Sequence, residues 1–244
     1  MLLFVLSLLM VVEKIISLSE SVVLISFGDE ISPQLHEQVM QAKQLIESNP
    51  FEGFVETVPA YNSLAVCYNP LLIETKQQTI ASAVEETINQ ILNDHSNQPL
   101  NLSPFKPFLK VIPVCYDQEL GIDLEELAAT LELSVTEIIQ LHVSKTYKVY
   151  MTGFTPGFPY MGILDERLVT KRRSSPRVKV EAGSVAIAGN QTGIYPFNTP
   201  GGWNIIGRTP LKLFDSSKSN PFLLKAGDEV KFEPITKEQF YKTP

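Results

Sequence analysis

The side chains best suited to chemistry stand among glycines and prolines between residues 150 and 210, a stretch that holds most of the chain's 13 glycines. Arg177 lies in SPRVKV (175–180), where a strand would put Arg177 and Lys179 on one face and Val178 and Val180 on the other. A guanidinium on a barrel face suits a carboxylate or phosphate, because its planar fork meets two oxygens at once; a solvated strand face is the plainer alternative. Gln191, Thr192 and Tyr195 occupy GNQTGIYP (189–196). The flanking glycines bare backbone N–H groups there, and a carboxamide both donates and accepts, although an ordinary surface turn would look the same. In PGGW (200–203), Gly201 and Gly202 let the backbone approach a ligand beside Trp203, the only tryptophan; equally, Trp203 fills a barrel. Arg208 falls an odd number of positions beyond Trp203, on the opposite face of a regular strand. Thr155 sits in the turn-rich GFTPGF (153–158), and His142 precedes the strand leading into it. That imidazole is a candidate general base near neutral pH, or a helix-terminal histidine that satisfies carbonyls.

Such residues need a rigid frame. Closely spaced Gly and Pro make a backbone that turns often. Between the turns lie short apolar runs, VAIA (185–188) and WNII (203–206), so the stretch reads as short strands of a β-barrel or sandwich. No phosphate loop, nucleophile elbow or HExxH zinc motif is present, and His36, His95 and His142 are too scattered to suggest a metal cluster. The expectation is a site built from loop polar groups, with no metal ligands.

The 244 residues suffice for one large or two modest domains, with 44% apolar and 19% charged residues as in ordinary globular proteins. A net charge of −7 speaks against nonspecific nucleic-acid or anionic-membrane binding, leaving Lys171, Arg172 and Arg173 as a local basic patch. Cys67 and Cys115 read as buried reduced thiols, which fits the cytoplasm. The apolar run 1–12 is too short for a helix to span a bilayer, and no signal-peptide flanks accompany it. Met10 looks like a natural start, so residues 1–9 read as an upstream extension.

Along the chain, a buried strand (22–27), a helix capped by Ser32 and Pro33, strands at 54–58 and 64–68, and a second helix carrying Ile80, Val84, Ile88 and Ile91 give β-α-β-β-α. With a further strand at 109–115 this is the split pattern of ferredoxin-like folds, so the class is α+β. Residues 97–107 read as a linker. Asp123 with Glu126 and Ser134 with Glu137 have capping-box spacing. The two short helices they open are similar to a helix-turn-helix, but the second carries no basic residue before His142. Strands follow at 148–152, 211–215 and 229–234.

The blocks GFTPGFPYMG (153–162), PRxKVxAGSVAIAGNQTGIYP (176–196) and PGGWNIIGRTPLKLFD (200–215) resemble the 5-oxoprolinase B-subunit family, which also contains the sporulation kinase A inhibitor and was formerly labelled as the first component of allophanate hydrolase. The similarity runs from about Ile16 to Ile235. It implies a small α/β N-terminal domain (10–98) joined to a cyclophilin-like β-barrel domain (107–244). It also implies a subunit, inactive alone, of an enzyme that opens the lactam of 5-oxoproline to L-glutamate with the A and C subunits. ATP, with Mg as its counter-ion, is the expected cofactor, and no prosthetic group. Phosphoryl oxygens on the activated lactam would need cations and amide donors. Arg177, Gln191, Arg208, Gly201 and Gly202 are candidates for that role, His142 for moving protons, and Thr155, Tyr195 and Trp203 for lining the site. The alternative is an inhibitor whose barrel docks on a histidine kinase; prolyl isomerase activity rests on fold analogy alone.

Overall fold

The computed structural model describes residues 10–75, 79–96 and 108–242; the upstream segment 1–9 and the linker 97–107 lie outside them. The chain divides into two compact units, Met1–Lys106 and Pro107–Pro244.

In the first unit β1 (Lys14–Ser19), β2 (Val22–Ser26), α1 (Pro33–Ser48), β3 (Phe54–Pro59), β4 (Ser63–Tyr68) and α2 (Ile80–Ser96) follow one another. Helix α1 starts where Ser32 accepts the Leu35 N–H and Pro33 takes the first turn, as its sequence predicts. Alternate strand residues Val23, Ile25, Leu64 and Val66 meet Val39, Leu45 and Ile46 of α1 and Val84, Ile88 and Leu92 of α2 in one core. The sheet is antiparallel, in the order β1-β2-β4-β3. The ferredoxin-like expectation differs here: the strand at 109–115 belongs to the other unit's sheet, and β1 fills the edge beside β2. Sequence reading misses β1 because its residues are mostly exposed, so no alternation marks it. A cleft of about 510 Å³ between β1 and α2 is lined by Met10, Val12, Ile15 and Leu92 with the polar side chains of Glu13, Lys14, Glu85, Asn89 and Asn93.

The second unit comprises β5 (Leu109–Val114), α3 (Leu124–Leu131), α4 (Val135–Ser144), β6 (Thr146–Thr152), β7 (Pro159–Gly162), β8 (Arg177–Val180), β9 (Ser184–Ala188), β10 (Gln191–Ile194), β11 (Thr199–Gly201), β12 (Asn204–Arg208), β13 (Glu229–Pro234) and α5 (Lys237–Lys242). Seven strands form one sheet, β12-β9-β10-β7-β6-β13-β5, antiparallel except for β13 with β5. The sheet curls until its edges meet at an antiparallel bridge, Cys115 with Arg208, held by two N–H···O bonds of 2.9 Å. This curled half-barrel is consistent with a cyclophilin-like fold. Each of the seven strands sends side chains into one core, which α3 and α4 close with Leu124, Leu127 and Ile138. The capping box of Ser134 and Glu137 forms. Strand β9 is apolar from Val185 onward because both its faces are buried: Val185 and Ile187 enter this core, Ala186 and Ala188 a second one with Phe158, Tyr195 and Trp203. The strand expected at 211–215 reduces to a single bridge, Phe214 with Phe222; Pro210 and Pro221, without N–H groups, limit any ladder there.

Ile187 is fully buried in the core that this sheet encloses. Ile187→Ala is expected to lower the unfolding free energy by about 2–5 kcal/mol, the cost of a cavity in a packed core, measured by denaturant titration of the full chain.

Candidate functional site

Asp123, 1% exposed, sits just before α3. Its backbone N–H donates to Ile205 O (3.0 Å), and its Oδ2 accepts the Ile205 N–H (2.7 Å), so the loop is pinned to β12. Arg177 approaches the same carboxylate as a fork, Nη1 to Oδ2 and Nη2 to Oδ1, while Arg173 Nη1 reaches Oδ1 (3.0 Å) and Glu126 Oε2 (2.8 Å). The capping role expected of Asp123 is therefore absent: its oxygens serve β12 and the arginines and make no cap hydrogen bond to α3. Arg173 holds the Glu126 carboxyl below its ordinary range by hydrogen bond and charge.

This clamp fixes the segment carrying Arg172 and Arg177 against the PGGW turn. Arg173 N–H donates to Gly202 O (2.8 Å), and Gly201 pairs with Arg177 across β11 and β8. The register shifts between Thr199 and Gly201, so β8 does not alternate as predicted: Val178 is 90% exposed while Val180 is buried. Arg177 turns to Asp123, and Lys179 pairs instead with Glu181. At Gly201 a Cβ would stand 2.4 Å from Tyr195 Oη, so only glycine lets the phenol lie against the backbone. Burial raises the Tyr195 pKa, and the Trp203 backbone N–H bonded to its oxygen, with Arg172 and Arg177 nearby, opposes that rise. Phe158, Tyr160, Tyr195 and Trp203 form an aromatic cluster, with Phe158 and Tyr160 each edge-on to Trp203 at 5.5 and 5.8 Å. The guanidinium of Arg172 lies over Trp203, 5.9 Å from the ring centroid.

Residues 13–224 match the family model described as carboxyltransferase domain, subdomain C and D. The chain is 42% identical over 236 residues to the B subunit of 5-oxoprolinase from Bacillus subtilis (strain 168), covering 93% of this chain and 95% of that one. It belongs to the 5-oxoprolinase B-subunit family. The Haemophilus influenzae protein of the same name is 39% identical over 219 residues, 90% of this chain and 96% of its own. The crystal structure of TTHA0988 superposes with a TM-score of 0.73 at 32% identity, over 88% of this chain but only 40% of that longer one.

Of the residues singled out from sequence, the fold brings Arg177, Tyr195, Gly201, Gly202 and Trp203 together. Gln191 pairs with Ala188 on β9, whose side chain belongs to the aromatic cluster's core, so it faces that side of β10. His142 lies on the other. It is fully buried, stacked on Phe232 and Tyr147, with Nε2 2.9 Å from Thr192 Oγ1 and Nδ1 2.8 Å from Tyr116 Oη. Thr192 spends its one proton on Ala186 O, so Nε2–H donates to Thr192 and Nδ1 accepts from Tyr116. The imidazole is neutral, with burial lowering its pKa to about 3. Placed so, His142 holds the core together and does not meet Gln191 or Arg177 in a common cleft. Arg208 donates through Nε to Ala182 O (2.7 Å) beside the edge bridge. Thr155 lies in the 153–158 turn, where Phe154 and Gly157 have positive φ, and its buried Oγ1 meets no hydrogen-bond partner among the described residues.

Sequence reasoning missed Asp123, Arg172, Arg173 and Tyr160 as site residues. Asp123 lies far from its arginines in sequence, so no local spacing could pair them. A signal did exist for the arginines: all five in the chain fall between positions 167 and 208.

Two measurements follow from this geometry. Asp123→Ala is expected to cost about 3 kcal/mol or more, since it strands Arg177 and the Ile205 N–H and removes one of the two carboxylates that Arg173 holds. Arg177→Ala should cost about 1–3 kcal/mol rather than the negligible loss expected of a surface arginine; denaturant unfolding of both variants checks the ranking. For His142, the folded pKa is about 3 against an unfolded value of about 6.5. The unfolded state alone binds a proton between those values, so the stability from a neutral His142 is complete above pH 6.5 and lost as pH falls. Wild type should lose about 1.4 kcal/mol per pH unit more than His142→Gln between pH 6 and 4, measured by unfolding at each pH.

Proposed function

We propose that this chain is the B-type subunit of an ATP-driven 5-oxoprolinase, acting with the A and C subunits to open 5-oxoproline to L-glutamate in the cytoplasm. The near full-length match to the Bacillus subtilis 5-oxoprolinase relative carries this reading. Free thiols at Cys67 and Cys115 are in keeping with a reducing compartment. No helix among the described residues is long and apolar enough to cross a membrane.

The reaction joins water to the lactam carbonyl carbon, breaks the ring C–N bond and leaves the proton on nitrogen. A resting lactam resists this, and ATP would supply the driving force by phosphorylating its oxygen, so that water adds to the activated carbon, the ring C–N bond breaks to leave an acyl phosphate, and a second water releases the phosphate. Four of the five arginines already neutralise carboxylates, and among the described residues no group of three or more His, Cys, Asp or Glu side chains gathers to hold a metal ion. We therefore place ATP and its Mg with the partner subunits. To this chain we assign substrate positioning by the Arg177, Gln191, Tyr195 and Gly201-Gly202-Trp203 face, with its aromatic floor excluding water. Held at Asp123, Arg177 orients this face.

Co-expression with the A and C subunits should yield ATP-dependent glutamate release, and the chain alone should yield none. Turnover of 5-oxoproline by the single purified chain would refute the assignment to a multi-subunit enzyme. In the complex, Gln191→Ala is expected to lower kcat/KM by about 10-fold, the scale of one lost polar contact.

A further inference from the structure

The charge balance around the aromatic cluster is uneven at one point. Arg167 pairs with Asp165, Arg173 with Asp123 and Glu126, Arg177 with Asp123, and Arg208 approaches Glu181. Arg172 is exposed and has no carboxylate within ion-pair distance among the described residues. It is not a loose surface charge, however. Its neighbour Arg173 is fixed at both ends, by the Gly202 carbonyl on the main chain and by Asp123 on the side chain, and its own guanidinium rests on Trp203. The planar cation is thereby held in place before any ligand arrives, which limits the ordering cost of binding. Around it stand phenols whose ionisation it influences, Tyr160 and Tyr195, in a cluster built of aromatic surface.

An uncompensated guanidinium fork bordered by aromatic rings fits a small, flat molecule bearing one carboxylate. The fork takes the two oxygens, its single charge matches a monoanion, and the rings support an apolar body. We infer that Arg172, held over Trp203, binds the carboxylate of the lactam acid on which the assembled enzyme acts. This rests on the function proposed above and assigns Arg172 a specificity role there, distinct from that of Arg177, whose fork is already filled by Asp123.

Two readouts separate the inference from the reading beneath it. In the complex with the A and C subunits, Arg172→Gln is expected to raise KM for 5-oxoproline by about 10-fold or more, with KM for ATP unchanged and partial recovery in Arg172→Lys. Trp203, the only tryptophan, also reports on the site in the isolated full-length chain. Its fluorescence should change saturably with 5-oxoproline, but not with 2-pyrrolidinone, the same lactam without the carboxylate, and not in Arg172→Gln. A wild-type complex that releases no glutamate would overturn the functional reading and leave the carboxylate site to be decided by fluorescence. An active complex in which Arg172→Gln keeps the wild-type KM for 5-oxoproline would overturn the inference. So would a Trp203 signal that follows inorganic phosphate and ignores 5-oxoproline, or, with an inactive complex, one that fails to respond to 5-oxoproline.

Discussion

The second unit depends on one buried carboxylate. Asp123 is almost wholly removed from water, a state that costs several kcal/mol for an ion unless its oxygens are answered. They are answered three times, by Arg173, by the fork of Arg177 and by the Ile205 N–H. Those donors come from two stretches of chain far from Asp123, so the cost of burying one charge is offset only when α3, the 172–177 segment and β12 are all in place. The arrangement of the aromatic face, including the close pass of Gly201 over Tyr195, follows from that condition.

A second buried polar group does different work. His142 lies in the apolar core as a neutral imidazole whose two nitrogens are both used, one as donor and one as acceptor. Tyr147 completes the knot by donating to the His142 carbonyl. A fully satisfied network of this kind specifies how α4 sits on β10 and β13, since any slip would leave a buried hydrogen-bonding group alone. The same satisfaction removes the imidazole from solution chemistry.

The two groups divide the barrel's surfaces. Strand β10 sends Thr192 inward to His142 and Gln191 towards the aromatic cluster. Thr192 thus serves the core on one side of a single strand, and Gln191 stands on the other. The near full-length kinship with the 5-oxoprolinase relatives says which chemistry to look for. Ion pairing among the described arginines leaves Arg172 without a carboxylate.

Much of the local structure was legible in the sequence. Ser32-Pro33 started α1, Ser134 with Glu137 capped α4, and the apolar run 185–188 marked a strand. The three glycine-rich blocks carried the family and, with it, the barrel. Edge elements without alternation were not legible, hence the missed β1, and neither was the register shift that exposes Val178. Capping-box spacing misread Asp123, because the same carboxylate has a stronger use when two guanidinium groups arrive from far along the chain. Local propensity, periodicity and caps act over a few residues, and the sequence by itself determined whatever depends on them. Which arginine is neutralised, which histidine is sealed and which cation stays open depend on charges meeting across the fold, and only the tertiary structure decided those.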